Sequence, residues 1–268
     1  MQTSRMRNFK KISVIIVNYK SQARLLDCIA SVYDKLKNEN IEIVIVNNDP
    51  KENVSEKTKI FSEIRTINLG KNVGFGTAIN RGAEASQGEW MMFLNPDTKL
   101  LTDQQKMFEF LRSNPKAGII SPKLVKASGK VQEWSAGSSP GLIDLIGNNI
   151  GFSKSKKIWE SNKTKEVDWT SGAAMVIKKD LFDKIGGFDE NIFMYFEDID
   201  LCKRAREAGK KVFYFPQDEV LHLGGKSTEN EKKQKADYYK SQDYYFQKHF
   251  SKTSSAFVRV LRKIFIKA

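Results

Sequence analysis

The stretch FMYFEDIDLCKRAREAG, residues 193 to 209, sets Glu197, Asp198 and Asp200 directly behind Phe193, Met194, Tyr195 and Phe196. A helix starting near Glu197 places all three acids in its first turn, where the positive end of the macrodipole stabilises carboxylates. Helix-start acids need no apolar collar, however. Such a collar raises a carboxyl pKa toward a value useful for taking a proton, so the stretch reads as the seat of a general base. Helical spacing puts Glu197 and Asp200 on one flank and Asp198 roughly a hundred degrees away. The three acids therefore cannot all face one ligand.

A second carboxylate, Asp97 in FLNPDT (93 to 98), ends an apolar run at a turn set by Pro96. Mg2+ or Mn2+ on a diphosphate needs only one or two protein carboxylates, because phosphate oxygens and water complete the shell. Asp97 suits that task; its alternative is to cap a helix starting near Thr102. NVGFGTAINRG (72 to 82) brings three glycines to a strand-to-helix junction, but not in dinucleotide-fingerprint spacing, and no P-loop is present. That argues against a nicotinamide cofactor or ATP. His222 follows an apolar run and precedes Gly224 and Gly225, which reads as functional, whereas His249 sits among aromatics and reads as structural.

The elements that position these residues follow from periodicity. ISVIIV (12 to 17), IEIVIV (41 to 46), IRTINL (64 to 69) and WMMFL (90 to 94) are apolar runs of strand length. Between them Leu25, Leu26, Ile29, Val32, Tyr33 and Leu36 recur at helical spacing, and a further helix is expected from about Thr77 to Ala85. Strands alternating with helices predict an α/β fold with a parallel sheet, which binds ligands beyond the carboxyl ends of its strands. Those ends carry Asn18 and Tyr19; Asn47, Asn48 and Asp49; GKNVGFG; and Asn95, Pro96 and Asp97. Downstream, a helix is expected from Thr102 to Leu111, then GIISPKLV as a strand and a largely irregular excursion over 129 to 166 suited to acceptor-binding loops or a lid. WTSGAAMVIKK, KVFYF and EVLHL read as further strands. Trp134 and Trp159 read equally as core or as sugar-stacking platforms.

The 268 residues are 40% hydrophobic, enough for a core, and the two cysteines, Cys28 and Cys202, predict neither a disulfide framework nor a thiolate metal site. No run of 18 apolar residues predicts a membrane span, and the polar, basic start carries no signal-peptide pattern. A cytoplasmic location is expected. The net charge of +13 calls for an anionic neighbour. It concentrates at Arg5, Arg7, Lys10 and Lys11, at Lys154, Lys156 and Lys157, and in the last 18 residues, which hold no acid. That tail predicts a basic amphipathic helix with Phe257, Leu261, Ile264 and Phe265 as its apolar stripe, suited to the anionic inner face of the cell membrane. No nucleic-acid-binding signature accompanies the charge, so nucleic acid is not an expected partner.

NYK after the first strand, NND after the second, then NxGFG, FLNPDT, SGAAMVIKKDLFDKIGGFDENIFMYFEDIDLCKR and VLHLGGKS stand in an order that resembles the inverting nucleotide-sugar glycosyltransferases of family 2. Among them the chain is most similar to bacterial rhamnosyltransferases of surface-polysaccharide synthesis, over about residues 12 to 228. The resemblance implies a GT-A fold: a Rossmann-like, mostly parallel sheet flanked by helices, with a nucleotide-sugar half at about 12–100, an acceptor half at about 101–228, and a basic helical extension over 229–268. It places Asn18, Tyr19, Asn47 and Asn48 by the donor's base and ribose, and Asn72, Gly74 and Gly76 by its ribose and diphosphate. Asn95 and Asp97 stand where many relatives carry Asp-x-Asp, so Asp97 would hold the divalent cation, with His222 completing that site. The first acid being Asn95 implies a thinner metal site. Many relatives also carry Asp where this chain has Asn47, which leaves the donor base open between uracil and thymine. Asp198 matches the general base for the acceptor hydroxyl; Trp169, Ser171, Gly172 and Glu197 would line the acceptor pocket. The implied donor is dTDP-L-rhamnose, with a UDP-hexose as the alternative, and the implied acceptor is a lipid-diphosphate-linked saccharide.

Overall fold

A computed structural model describes residues 11–61, 64–139, 155–224 and 231–265. The basic cluster at Arg5, Arg7 and Lys10, together with Lys154, Gly225 and Lys267, lies outside them, as does the stretch 140–154 of the expected excursion.

Strands β1 (Ile12–Asn18), β2 (Ile41–Asn47), β3 (Ile64–Asn68) and β4 (Trp90–Leu94) pair in parallel in the order β3-β2-β1-β4. β1 is buried along its whole length because both faces of the sheet are covered. Ile12, Val14 and Ile16 face the layer that contains Leu25, Ile29 and Val32 of helix α1 (Gln22–Lys35), while Ile15 and Val17 face Ala78 and Ile79 of α3 (Phe75–Glu84). That alternation is the period of two that a strand imposes. A short helix, α2 (Val54–Thr58), precedes β3.

β1 has β2 on one side and β4 on the other, so the order of connection reverses there. The carboxyl ends of those strands border the crevice where such sheets take ligands. Beyond β4 the sheet becomes mixed. β5 (Thr98–Leu100), helix α4 (Gln105–Ser113), β6 (Ala117–Val125) and the two-residue β7 (Ala136–Gly137) follow in the chain, then α5 (Lys156–Trp159), β8 (Lys165–Val167) and β9 (Trp169–Thr170). β10 (Ala174–Lys178) inserts antiparallel between β4 and β6.

The two short strands expected from KVFYF and EVLHL are one strand, β11 (Lys211–His222), which pairs parallel with β6 from Lys211 to Phe215 and again from Glu219 to Leu221, the residues between being absorbed as a register shift. WTSGAAMVIKK divides instead: Trp169–Thr170 pairs with β7, and Ser171 to Ala173 form the break before β10. Helices α6 (Lys179–Lys184) and α7 (Glu197–Glu207) cover the α3 side of the sheet, and α8 (Glu231–His249) and α9 (Lys252–Phe265) pack against α7.

Candidate functional site

An amide ladder runs across the carboxyl ends of β1, β2 and β3, whose last residues, Asn18, Asn47 and Asn68, stand in register. Asn18 Nδ2 donates to Asn47 Oδ1 at 3.2 Å, and Asn47 Nδ2 donates to Asn68 Oδ1 at 3.0 Å. Glu52 Oε2 accepts from Asn18 at 2.7 Å. Asn47 also bonds the Glu52 carbonyl and the Asp49 N–H, so its amide holds the rim together. Asn18 Oδ1 is buried with no partner, which leaves one acceptor there. Tyr19 is half-buried beside it. Asn68 and Glu52 were absent from the expected set, although IRTIN ends in asparagine just as ISVIIVN and IEIVIVN do.

Asn48 organises the glycine loop. Its Nδ2 reaches Asn72 Oδ1 at 3.0 Å and the Gly74 carbonyl at 3.2 Å, while its Oδ1 accepts the Val73 N–H. Gly74 has φ +91°, and a Cβ there would stand 2.4 Å from the Phe193 carbonyl oxygen. Gly76 has the same kind of neighbour, since its Cβ would meet Phe188 at 2.9 Å. Both glycines thus permit α3 to close on the segment that leads to the acids at 197 and 198.

After β4, Asn95 to Thr98 form a tight turn: the Asn95 carbonyl accepts both the Thr98 N–H at 3.2 Å and the Thr98 hydroxyl at 2.7 Å. The turn presents Asp97, which is buried. β5 then pairs with β11 so that Thr98 stands opposite His222. His222 Nε2 lies 3.4 Å from Asp97 Oδ1 and 3.4 Å from Asn95 Nδ2. Its Nδ1 lies 2.7 Å from Gln132 Oε1, a contact that fixes the orientation of the ring. On the other side Arg24 of α1 stands 3.6 Å from Asp97 Oδ2.

An imidazole nitrogen and a carboxylate oxygen 3.4 Å apart suit two adjacent positions of one divalent cation, whose remaining positions phosphate oxygens and water fill. Among the described residues no group of three or more His, Cys, Asp or Glu could hold a metal. Gln132 and Arg24 gave no sequence signal, because each meets its partner only across the fold.

The third part of the site is the start of α7. Gly172 N–H donates to Asp198 Oδ2 at 3.1 Å, and the neighbouring Ala173 carbonyl accepts the Asn95 N–H at 2.9 Å. Two adjacent residues therefore tie Asp198 to the Asp97 turn. Glu197 is buried and its Oε2 has no partner. Burial, then the neighbouring Asp198 charge, pushes the Glu197 carboxyl well above its ordinary range; burial likewise raises Asp198, against the bonds from Gly172 and Ile199. Asp198 is half-buried, whereas Glu197 is only 8% exposed.

Asp200 differs. Burial raises its pKa, but His249, Arg204 and Lys248 more than offset that and hold the carboxyl below its ordinary value. It is an anchor, with His249 Nε2 at 2.6 Å, which gives His249 the structural part expected of it.

Gly172 borders Asp198, and Ser171 and Trp169 precede it in the same segment. Trp169 Nε1 donates to the Ser138 carbonyl at 2.9 Å, and the Ser171 N–H to the Ser135 carbonyl at 2.8 Å. The segment from Gln132 to Ser138 thus runs between His222 and Ser171. Within it Trp134 is 46% exposed and holds φ +58°, while Trp159, 5.2 Å away ring to ring, is buried. The fold separates two tryptophans that sequence left equivalent: Trp159 is core and Trp134 is available as a platform.

The sequence profile described as Glycosyl transferase family 2 matches residues 13–186. The chain is 30% identical over 189 residues to the N-acetylglucosaminyl-diphospho-decaprenol L-rhamnosyltransferase of Mycobacterium tuberculosis, which covers 63% of this chain and 61% of that one. It is 31% identical over 137 residues to Rhamnosyltransferase WbbL of Escherichia coli, covering 50% and 52% respectively. Each alignment spans less than two thirds of the relative's length. Among solved structures, GalNAc-T7 with UDP, GalNAc and Mn2+ superposes with a TM-score of 0.61 at 15% identity, over 81% of this chain and 44% of that one. The sheet order and this superposition show the GT-A fold. With the profile matched over more than half of its length, the chain belongs to glycosyl transferase family 2.

Proposed function

We propose that the protein is an inverting glycosyltransferase that moves L-rhamnose from dTDP-L-rhamnose onto a lipid-diphosphate-linked saccharide in cell-surface polysaccharide synthesis. The observation that carries the reading is the partly exposed Asp198, with its raised pKa, tied through Gly172 and Ala173 to the turn that holds Asp97. The rhamnose assignment draws support from the names of the relatives. A UDP-hexose donor is the alternative, supported by the UDP in the GalNAc-T7 structure.

In this mechanism Asp198 takes the proton of an acceptor hydroxyl as that oxygen attacks the anomeric carbon, and the bond to the diphosphate breaks on the opposite face. One displacement inverts the centre. Glu197, Trp169, Ser171 and Gly172 line the acceptor side, with Trp134 as a stacking surface at its edge. Asn18 offers its free acceptor to the donor, while Asn47, Asn48, Asn72, Gly74 and Gly76 hold the rim on which the nucleotide lies. A Mg2+ or Mn2+ held by Asp97 and His222 would offset the charge of the departing diphosphate. Arg24 stands ready on the other side of Asp97 for the same phosphate oxygens.

The test is incubation of purified protein with dTDP-L-rhamnose and a panel of UDP-hexoses, together with a synthetic lipid-diphosphate saccharide, reading nucleoside diphosphate release. Release from dTDP-L-rhamnose alone is expected; no release from any donor sinks the reading. Mn2+ binding in the presence of nucleoside diphosphate, followed by its electron paramagnetic resonance signal, should weaken in Asp97→Ala by at least the roughly 10- to 100-fold that losing an outer-shell partner costs. A signal that the substitution leaves untouched removes Asp97 from the metal.

The tail supports a place on the membrane surface. α9 is a helix as expected; of the expected stripe only Phe257 has a described side chain, and it is about half exposed, as is Val260, whereas Val258 is buried with Phe196, Tyr245 and Phe246. Leu261, Ile264 and Phe265 lie outside the residues whose side chains are described. No helix among the described residues is long and apolar enough to cross a membrane. Phe and Val in the headgroup boundary, with each nearby cation contributing about 1 kcal/mol on an anionic leaflet, suit peripheral attachment. Cutting the tail at Ser251 would also remove Val258 from its cluster, so point substitution is the cleaner test. Phe257→Glu with Val260→Glu should abolish most sedimentation with phosphatidylglycerol vesicles while thermal stability holds. Unchanged sedimentation would place the membrane contact elsewhere.

A further inference from the structure

Tyr195 and Phe196, the two residues before Glu197, both adopt the left-handed conformation, with φ of 67° and 66°. For bulky side chains this costs about 1–3 kcal/mol each and persists only where neighbours over-determine it. One set of neighbours belongs to the nucleotide half, where the Phe75 N–H donates to the Phe193 carbonyl at 3.2 Å. The other set belongs to α8.

Ser241 Oγ of α8 donates to the Met194 carbonyl at 2.7 Å. The rings of Tyr238 and Tyr245 lie 5.3 and 5.4 Å from that of Phe196, which is buried. One turn further along α7, Asp200 is fully buried and accepts from Lys248 Nζ at 2.7 Å and His249 Nε2 at 2.6 Å. Lys248 bridges at 2.7 Å to Asp189 as well. α8 thus grips α7 immediately before Asp198 and two residues after it, on the flank that turns away from Asp198.

We infer that α8 is a clamp that positions the catalytic base: Ser241, Lys248 and His249 act through the 194–196 segment and Asp200 to hold Asp198 where an acceptor hydroxyl can meet it. They are positioning residues. The inference rests on the reading of Asp198 as that base. α9 packs on the same clamp, through Val258 in the Phe196 cluster and through Arg262, which pairs with Asp243 and lies 4.6 Å from the Tyr239 ring. Whatever moves the tail therefore bears on the base.

The test uses the full chain with Ser241→Ala, His249→Leu and His249→Gln, and counts active sites by nucleoside diphosphate titration. A displacement of about 1 Å at a reacting group costs up to about a hundredfold in rate. Ser241→Ala and His249→Leu should therefore lower kcat per nucleotide-binding site by about tenfold or more, with nucleotide affinity and donor KM unchanged, because the donor rim lies on other elements. His249→Gln, which can still donate to Asp200, should recover most of the loss.

Equal kcat in all three variants overturns the clamp, and so does a fall in kcat matched by an equal fall in nucleotide affinity. If His249→Leu does not fold, Ser241→Ala, which removes a single hydroxyl, carries the test. Asp198→Asn measured alongside separates the two claims. Near-normal turnover in that variant defeats the base assignment itself, whereas an inactive Asp198→Asn beside an unaffected Ser241→Ala defeats only the clamp.

Discussion

Asp198→Asn lowers transfer by a hundredfold or more while the fold and nucleotide binding persist, since general-base contributions are roughly 10² to 10⁴. The amide keeps the shape of the carboxylate, and its one oxygen can still accept the Gly172 N–H, giving up the bond from the adjacent Ile199 N–H, so the loop that Gly172 belongs to stays anchored. What it lacks is the ability to take a proton. In the unaltered protein kcat should fall as pH drops through the Asp198 pKa, and burial puts that fall above the ordinary carboxylate range. A kcat–pH profile whose acid limb lies no higher than the ordinary carboxylate range, or near-normal turnover in Asp198→Asn, would remove the base from this position.

Glu197 supplies a companion measurement with the opposite sign. Its folded-state pKa is raised above the unfolded value, mainly by burial. Its contribution to stability is therefore full below the unfolded pKa and is lost as pH rises through the folded one. Above that, each unit of upward shift costs about 1.4 kcal/mol. Glu197→Gln should melt higher than the unaltered protein at pH 9, with the gap closing toward pH 4. A gap independent of pH would mean that the carboxyl is not the source.

The second large effect is on the fold. Gly74→Ala should destabilise by roughly 3 kcal/mol, from a backbone conformation that only glycine adopts readily and from a methyl group driven into a main-chain oxygen. Gly74 has φ +91° and ψ 167°, and the added Cβ would stand 2.4 Å from the Phe193 carbonyl oxygen. Neither partner is a side chain that can rotate away. For a domain of this size the melting temperature should drop by about 6–12 °C. Gly70→Ala is the control. Gly70 also has positive φ, at 70°, but a Cβ there meets nothing within 4 Å, so only the backbone strain of about 1 kcal/mol applies. Equal shifts in the two variants would show that the approach of Phe193 is not what requires a glycine at 74.

The parallel half of the sheet was legible because its signals are local. ISVIIV, IEIVIV and WMMFL are apolar without alternation, which only a strand covered on both faces tolerates, and the helix between the first two carries its own 3.6-residue stripe. Asp97 and Asp198 stand out in the sequence as candidates for a similar reason: a proline turn after an apolar strand and an apolar collar before a helix start are both written in consecutive residues. KVFYF and EVLHL looked like two strands because the residues between them are polar. They are one strand because β6 offers a partner on both sides of the register shift, and that partner lies about ninety residues earlier in the chain.

The three acids make the same division within a single turn of helix. Sequence alone placed Glu197, Asp198 and Asp200 together and set Asp198 apart in direction, since helical geometry needs no other part of the chain. Their chemistry came from elsewhere. Gly172 holds Asp198, the surrounding core leaves Glu197 without a partner, and Lys248 and His249, nearly fifty residues downstream, turn Asp200 into an ion-paired anchor. A carboxylate's type and direction are properties of its own few residues; its pKa and its task depend on which charges, donors and apolar walls the fold brings within a few ångströms, and that only the tertiary structure decided.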